Sequence, residues 1–158
     1  MTTPAVTGPP TAGDSRAERG SAIVEVTWLT ILLLVPLVYL VLSVFEVQRA
    51  AFAVTSASRA AGRAFVLSPD QVAGQSRAVE AAGVALRDQG LAMPAGSLAV
   101  TCEPDPRSCL QPGSVVVVSV GLDVALPLVP DFFGGQTPSI RVSSTHRAPY
   151  GTFREARP

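Results

Sequence analysis

Glu25 is the residue whose setting most needs a chemical account, because it stands among Ile23, Val24, Val26 and Trp28 at the start of a strongly apolar block. A carboxylate inside a bilayer is costly unless paired and usually has a function, whereas one at the membrane interface costs much less, and position alone leaves both readings open. Cys102 and Cys109 bracket the Pro-containing loop EPDPRS. A pair so close in sequence can close a small disulfide in an oxidising compartment or stay as two thiols in a reducing one. His146, the single histidine, stands beside Arg147 at the end of a strand-like run. It is expected at the surface, since no acidic or nucleophilic neighbour supports a role as a base. With no further Cys and only that His, neither a structural zinc site nor a cofactor is expected. Residues 68–158 carry no paired carboxylates at helical spacing, no Gly-rich phosphate loop and no HExxH motif, and Gly134-Gly135 reads as a loop element, so a non-enzymatic protein is expected.

The element that must position Glu25 is the apolar block itself. From Val26 to Phe45 the chain reads VTWLTILLLVPLVYLVLSVF, twenty residues without a charge. At 1.5 Å per residue that is about 30 Å, the thickness of a bilayer's hydrocarbon, so one transmembrane helix is expected over 26–45. Pro36 removes one backbone donor, which a membrane helix tolerates with a kink or local readjustment. Ala51-Phe52-Ala53 has the small-x-small look of a signal-peptidase site. The apolar run is longer than the 7–15 residues of a signal peptide, however, and Glu46, Gln48 and Arg49 separate it from the would-be cut.

Composition sets the outer limits. Of 158 residues 47% are hydrophobic and 15% charged, below the usual ~25% charge, because the apolar residues are concentrated in one block. The twelve cations, all Arg, equal the twelve anions, so neither a disordered tail nor a nucleic-acid partner is expected. Arg16 and Arg19 precede the span while Arg49, Arg59 and Arg63 follow it closely, so charge alone points weakly against an exported C-terminus. The cysteines argue for export.

Residues Met1 to Asp14 are rich in Pro, Gly and Thr and should be flexible. Beyond the span, Glu46 to Leu67 lacks Pro and is rich in Ala, which predicts a helix from Ser21 to Leu67, about 70 Å if unbroken. Its small residues would let another helix approach closely, or would pack on the chain's own C-terminal domain. Ser68-Pro69-Asp70-Gln71 predicts a second helix with Ser68 as N-cap, ending near Gln89 with Gly90 as the stop and with Val72, Val79, Gly83 and Leu86 on its inner stripe. After Pro94 the period changes to two. Three strands are expected to follow, with Leu98, Val100 and Cys102, then Val116 to Leu126 at alternate positions, then Ile140, Val142 and Ser144 on one face. The Cys-bounded loop joins the first two strands, and LPLVPDFFGGQTP the last two. Phe132 and Phe133 in the latter are either core filler or an exposed contact patch, with core the expected placement. A three-stranded sheet would leave a face bare, so the second helix or the end of the long one should cover it. The fold class is therefore α+β: a long N-terminal transmembrane helix extending into a small head with a second helix and a three-stranded antiparallel sheet.

Glu25 also belongs to a longer pattern. Arg16, Glu18 and Arg19 precede Gly20, which is followed by Ser21-Ala22-Ile23-Val24-Glu25 and the apolar run. This resembles the processing site of type IV pilin-like precursors, and within that superfamily the chain looks most like the TadE-like pseudopilins of the tight-adherence (Flp) pilus system. The likeness covers Glu18 to about Leu67 and includes Glu46, Arg49-Ala50 and Ala60-Ala61-Gly62-Arg63-Ala64, which look like the family's glutamate-x-x-arginine and the small-residue helix after it. Residues 68–158 match only in style. Val26 stands where the major Flp pilins have Tyr, and those pilins are much shorter, which favours a minor pilin or pseudopilin.

The resemblance implies a cytoplasmic leader 1–20, cut after Gly20 by a membrane-embedded prepilin peptidase, a pilin-like helix 21–67 and an exported head 68–158. Ser21 would become the new N-terminus and Glu25 the fifth residue of the mature chain. In a fibre, Glu25 of one subunit would neutralise the Ser21 ammonium of its neighbour within an apolar bundle, which offsets the burial of both charges and selects register. The implied partners are the peptidase, other pilins, tight-adherence inner-membrane assembly proteins and the lipid bilayer. The implied location is the bacterial cytoplasmic membrane, with the head extracytoplasmic. The competing expectation is a signal-anchored envelope protein whose α+β head binds a partner, with Glu25 incidental.

Overall fold

The computed structural model describes residues 15–125 and 139–158, with no account of the side chains of residues 15–21. In chain order the elements are α1 (Ser15–Val66), α2 (Gln71–Arg87), β1 (Leu98–Glu103), β2 (Val115–Ala125) and β3 (Ser139–Pro149). Contacts divide the chain into two units, Met1–Leu40 and Val41–Pro158. The protein is α+β, with a long apolar N-terminal helix, a second helix and a three-stranded antiparallel sheet.

In α1 residues 26–40 carry no charge on any side, and every residue from Ala22 to Val38 is exposed. The Thr27 and Thr30 hydroxyls donate to the Ile23 and Val26 carbonyls at 2.7 Å, so their polar atoms are satisfied within the helix. Pro36 lies inside the helix without ending it. The helix begins at Ser15, earlier than the expected Ser21, so residues 15–20 are helical as well. Ala17, Glu18 and the two Arg are strong helix formers, and extending an existing helix avoids the nucleation cost. The Pro-rich residues 1–14 and the 126–138 connection, with Leu126, Phe132, Phe133, Gly134 and Gly135, lie outside the described residues.

From Ala50 onwards α1 acquires a face. Ala50, Ala53, Val54, Ala57, Ser58, Ala61, Gly62 and Phe65 are buried, a 3–4 spacing that gives one stripe. The small residues there pack on the chain's own head. A Cβ at Gly62 would lie 3.1 Å from His146 Cδ2 and 3.2 Å from Ala148 Cβ, so this glycine sets how closely α1 approaches the sheet.

α2 departs from expectation at its start. Asp70 is the N-cap, accepting from the Ala73 N–H at 2.8 Å. Ser68, expected in that role, is fully buried, and its hydroxyl donates to the Ala64 carbonyl at the end of α1. An Asp acceptor is favoured at the positive end of a helix, which leaves Ser68 free to close the preceding one. The inner stripe is Gly74, Ala78, Ala82, Gly83 and Leu86. Val72, expected inside, is 83% exposed, and Val79 is exposed as well. Close approach decides this: a Cβ at Gly74 would sit 3.1 Å from the Phe65 ring, so small residues, not valines, face α1. Gly90, with φ of 71°, terminates the turn after α2, as expected.

The strands are antiparallel in the order β1-β2-β3. Val116, Val118, Val120, Leu122 and Val124 are buried along one face of β2, as their alternation predicts. Opposite them, the Ser119 and Thr145 hydroxyls bond at 2.9 Å on the outer face. Leu98, Val100 and Val142 pack at the core's margin, while Ile140 is exposed. Residues of both helices share the core with the sheet, so both cover its inner face.

Candidate functional site

The candidate site lies in the first unit, along the start of α1. Gly20 and Ser21 are within the helix, and Glu25 follows about one turn after Ser21, exposed, with the exposed apolar run beginning at its side. No hydrogen bond or ion pair joins Glu25 to another described residue; the three ion pairs among the described residues are Arg49–Glu46, Arg141–Asp123 and Arg147–Glu103, all beyond the apolar run. A helix places i and i+4 on one face, so Ser21 and Glu25 occupy the same side of α1.

The surrounding surface is what makes this arrangement unusual. From Ala22 onward α1 meets the length and composition needed to cross a bilayer, with a mean hydropathy of 2.5 in its most apolar window and none of that window buried. An exposed Leu or Val forgoes about 1.5–3 kcal/mol relative to burial, so a run of this length calls for lipid or other helices around it.

In the second unit Cys102 and Cys109 form a disulfide, with Cα atoms 5.2 Å apart and both residues buried. His146, expected at the surface, is half-buried where β3 meets α1 at Gly62. Nearby, Ser58 Oγ of α1 lies 3.3 Å from Ser144 Oγ of β3. His146 is thus a packing residue in a polar seam, and a sequence without repeats or spacing cues linking 62 to 146 could not reveal it. Among the described residues no group of three or more His, Cys, Asp or Glu is placed to hold a metal. A groove of about 600 Å³ between α2 and residues 93–98 is lined mainly by Val79, Gly83, Val84 and Met93, with Glu80 and Arg87 its charged groups.

Compared with protein-family models, curated proteins and solved structures, the chain matches none.

Proposed function

We propose that this protein is a TadE-like minor pilin or pseudopilin that takes part in assembly of a tight-adherence pilus and is processed after Gly20 by a prepilin peptidase. The observation that carries the reading is a single one: Glu25 stands one turn beyond Gly20-Ser21, on a helix whose following surface is apolar on every side. Cleavage after Gly20 would free an ammonium at Ser21 and leave the apolar helix attached. Glu25 would then be the acid that a neighbouring subunit's ammonium needs in a water-poor bundle.

Local physics suits the cut. Glycine is the weakest helix former apart from proline, by about 1 kcal/mol relative to alanine, so the helix opens most easily at Gly20 for a peptidase that must reach the backbone. A signal-peptidase cut at Ala51-Phe52-Ala53 fits poorly, since Ala53 is fully buried in the head's core and Ala50 would be lost from it. The disulfide supports a head on the oxidising side of the membrane, with the N-terminus cytoplasmic. On this reading the chain is a non-enzymatic single-span protein, and its partners are the peptidase, other pilins, the assembly proteins of the inner membrane and lipid.

Mass spectrometry of membrane-extracted protein from its native host tests the proposal. The expected mature N-terminus is Ser21; a chain still beginning at Met1 or Thr2, in cells with an active peptidase, overturns it and leaves the signal-anchored envelope protein as the better account.

A further inference from the structure

After β3 the chain does not simply trail away. Tyr150 is buried, its N–H donates to the Ser114 carbonyl at 2.9 Å, and its hydroxyl donates to the Glu155 carbonyl at 2.7 Å, which folds residues 150–155 into a closed turn. Arg154 Nη1 then donates to the Val66 carbonyl at 2.8 Å and Arg157 Nη1 to the Ser68 carbonyl at 2.9 Å. These two guanidiniums occupy the carboxyl end of α1, where unpaired carbonyls and the helix dipole favour cations. The Gln71 N–H at the start of α2 donates to the Pro158 oxygen at 3.0 Å. One short segment therefore ties the end of α1 to the start of α2.

The anchor on its other side is the disulfide loop. The Arg157 N–H donates to the Leu110 carbonyl at 2.9 Å, directly after Cys109. The Gln71 side chain donates from Nε2 to the Arg107 carbonyl at 2.9 Å, inside the loop that Cys102 and Cys109 close. The Ser114 hydroxyl donates to the Cys109 carbonyl, and the Gly113 N–H to the Tyr150 carbonyl at 3.2 Å. Arg107, Cys109, Leu110 and Ser114 all lie in the β1–β2 connection, outside the sheet's ladder, and Cys109 is tied to the ladder through its disulfide to Cys102.

We propose that the Cys102–Cys109 disulfide is the latch of a C-terminal strap: its formation fixes the loop that receives residues 150–158, so the head completes its fold only where thiols are oxidised. With the thiols free, β2 and β3 still pair along eleven residues, but Leu110 and Arg107 are no longer held in place to receive Arg157 and Gln71. The oxidation proceeds by thiol–disulfide exchange. One cysteine thiolate attacks a disulfide oxidant, forming a mixed disulfide and expelling one oxidant thiolate; the second cysteine thiolate displaces the other, and the two electrons end on the oxidant as a dithiol. This device is independent of the pilin reading.

Coupling of this kind is reciprocal, so it can be read from both ends. In the full chain held in detergent, Cys102→Ala/Cys109→Ala should lower hydrogen-exchange protection of the Arg157 and Gln71 amides by about tenfold or more while the β2–β3 amides stay protected. Unchanged protection at Arg157 and Gln71 would overturn the proposal, as would equal loss across the β2–β3 ladder, which would make the disulfide a general stabiliser. The second arm keeps the disulfide and does not depend on that variant folding. The sulfurs are shielded, with Cys102 2% and Cys109 6% exposed, so a dithiol must wait for the loop to open. Arg154→Ala/Arg157→Ala should therefore speed reduction by dithiothreitol about tenfold or more over the wild type; an unchanged rate would show that strap and loop are not coupled.

Discussion

A carboxylate at position 25 and a glycine at position 62 are each explained by what lies next to them. Glu25 has an apolar neighbour on either side in sequence and no bonding partner among the described residues. If it serves as an assembly contact, Glu25→Ala should leave processing after Gly20 largely intact and sharply reduce the amount of the chain recovered with pilus fibres. Fibres that form and retain the variant at wild-type levels would remove the assembly role. Gly62 is a matter of space. A valine there gains a few tenths of a kcal/mol in helix propensity over glycine but pushes into His146 and Ala148, where overpacking costs about 1–3 kcal/mol. The clash wins, so Gly62→Val should lower the denaturation midpoint of the head, as followed by circular dichroism in detergent; an unchanged midpoint would mean that α1 and the sheet can separate freely.

Among the elements, α1 joins two kinds of surface in one helix, apolar all round over its first part and striped over its last turns. The first kind has no core of its own to face. If lipid covers it, Leu33→Arg places a charge near mid-span at an insertion cost of about 2.5–3.5 kcal/mol, and the variant should shift from the carbonate-resistant membrane pellet to the supernatant or be degraded. Undiminished membrane retention would argue that the run is covered by protein. β3 shows a different kind of surface management. Its outer edge has no partner among the described residues, and it carries Arg141, Arg147 and Pro149. Charged side chains and proline discourage another strand from adding to such an edge. The two arginines are also engaged within the sheet, Arg141 with Asp123 on the adjacent β2 and Arg147 with Glu103 on β1 beyond it.

For the whole molecule, the two units have different needs. Val41–Pro158 has a core, a disulfide and a hydrogen-bonded segment after β3. Met1–Leu40 offers an apolar surface that only surroundings can satisfy. Processing after Gly20 would leave every described core residue in the mature chain, whereas a cut after Ala53 would take away Ala50 and Ala53, which α1 contributes to the head.

Much of this was legible in the residues. The charge-free run, the period of two in β2, the α2 segment up to Gly90 and the loop bounded by the cysteines are local patterns, because helix and strand periodicities and a seven-residue separation between cysteines are properties of nearby positions. Ser21 and Glu25 are likewise readable together, since four residues along one helix suffice to bring them to one side. What only the tertiary structure decided is which candidates are used. Asp70 caps α2 while Ser68 closes α1, glycine and alanine rather than valine face inward, His146 packs against Gly62, and Arg154 and Arg157 reach the end of α1. Each of these depends on a contact between positions tens of residues apart, or on a contest between two acceptable local arrangements. Close packing settles such contests by fit across the chain, and that fit has no period a sequence can display.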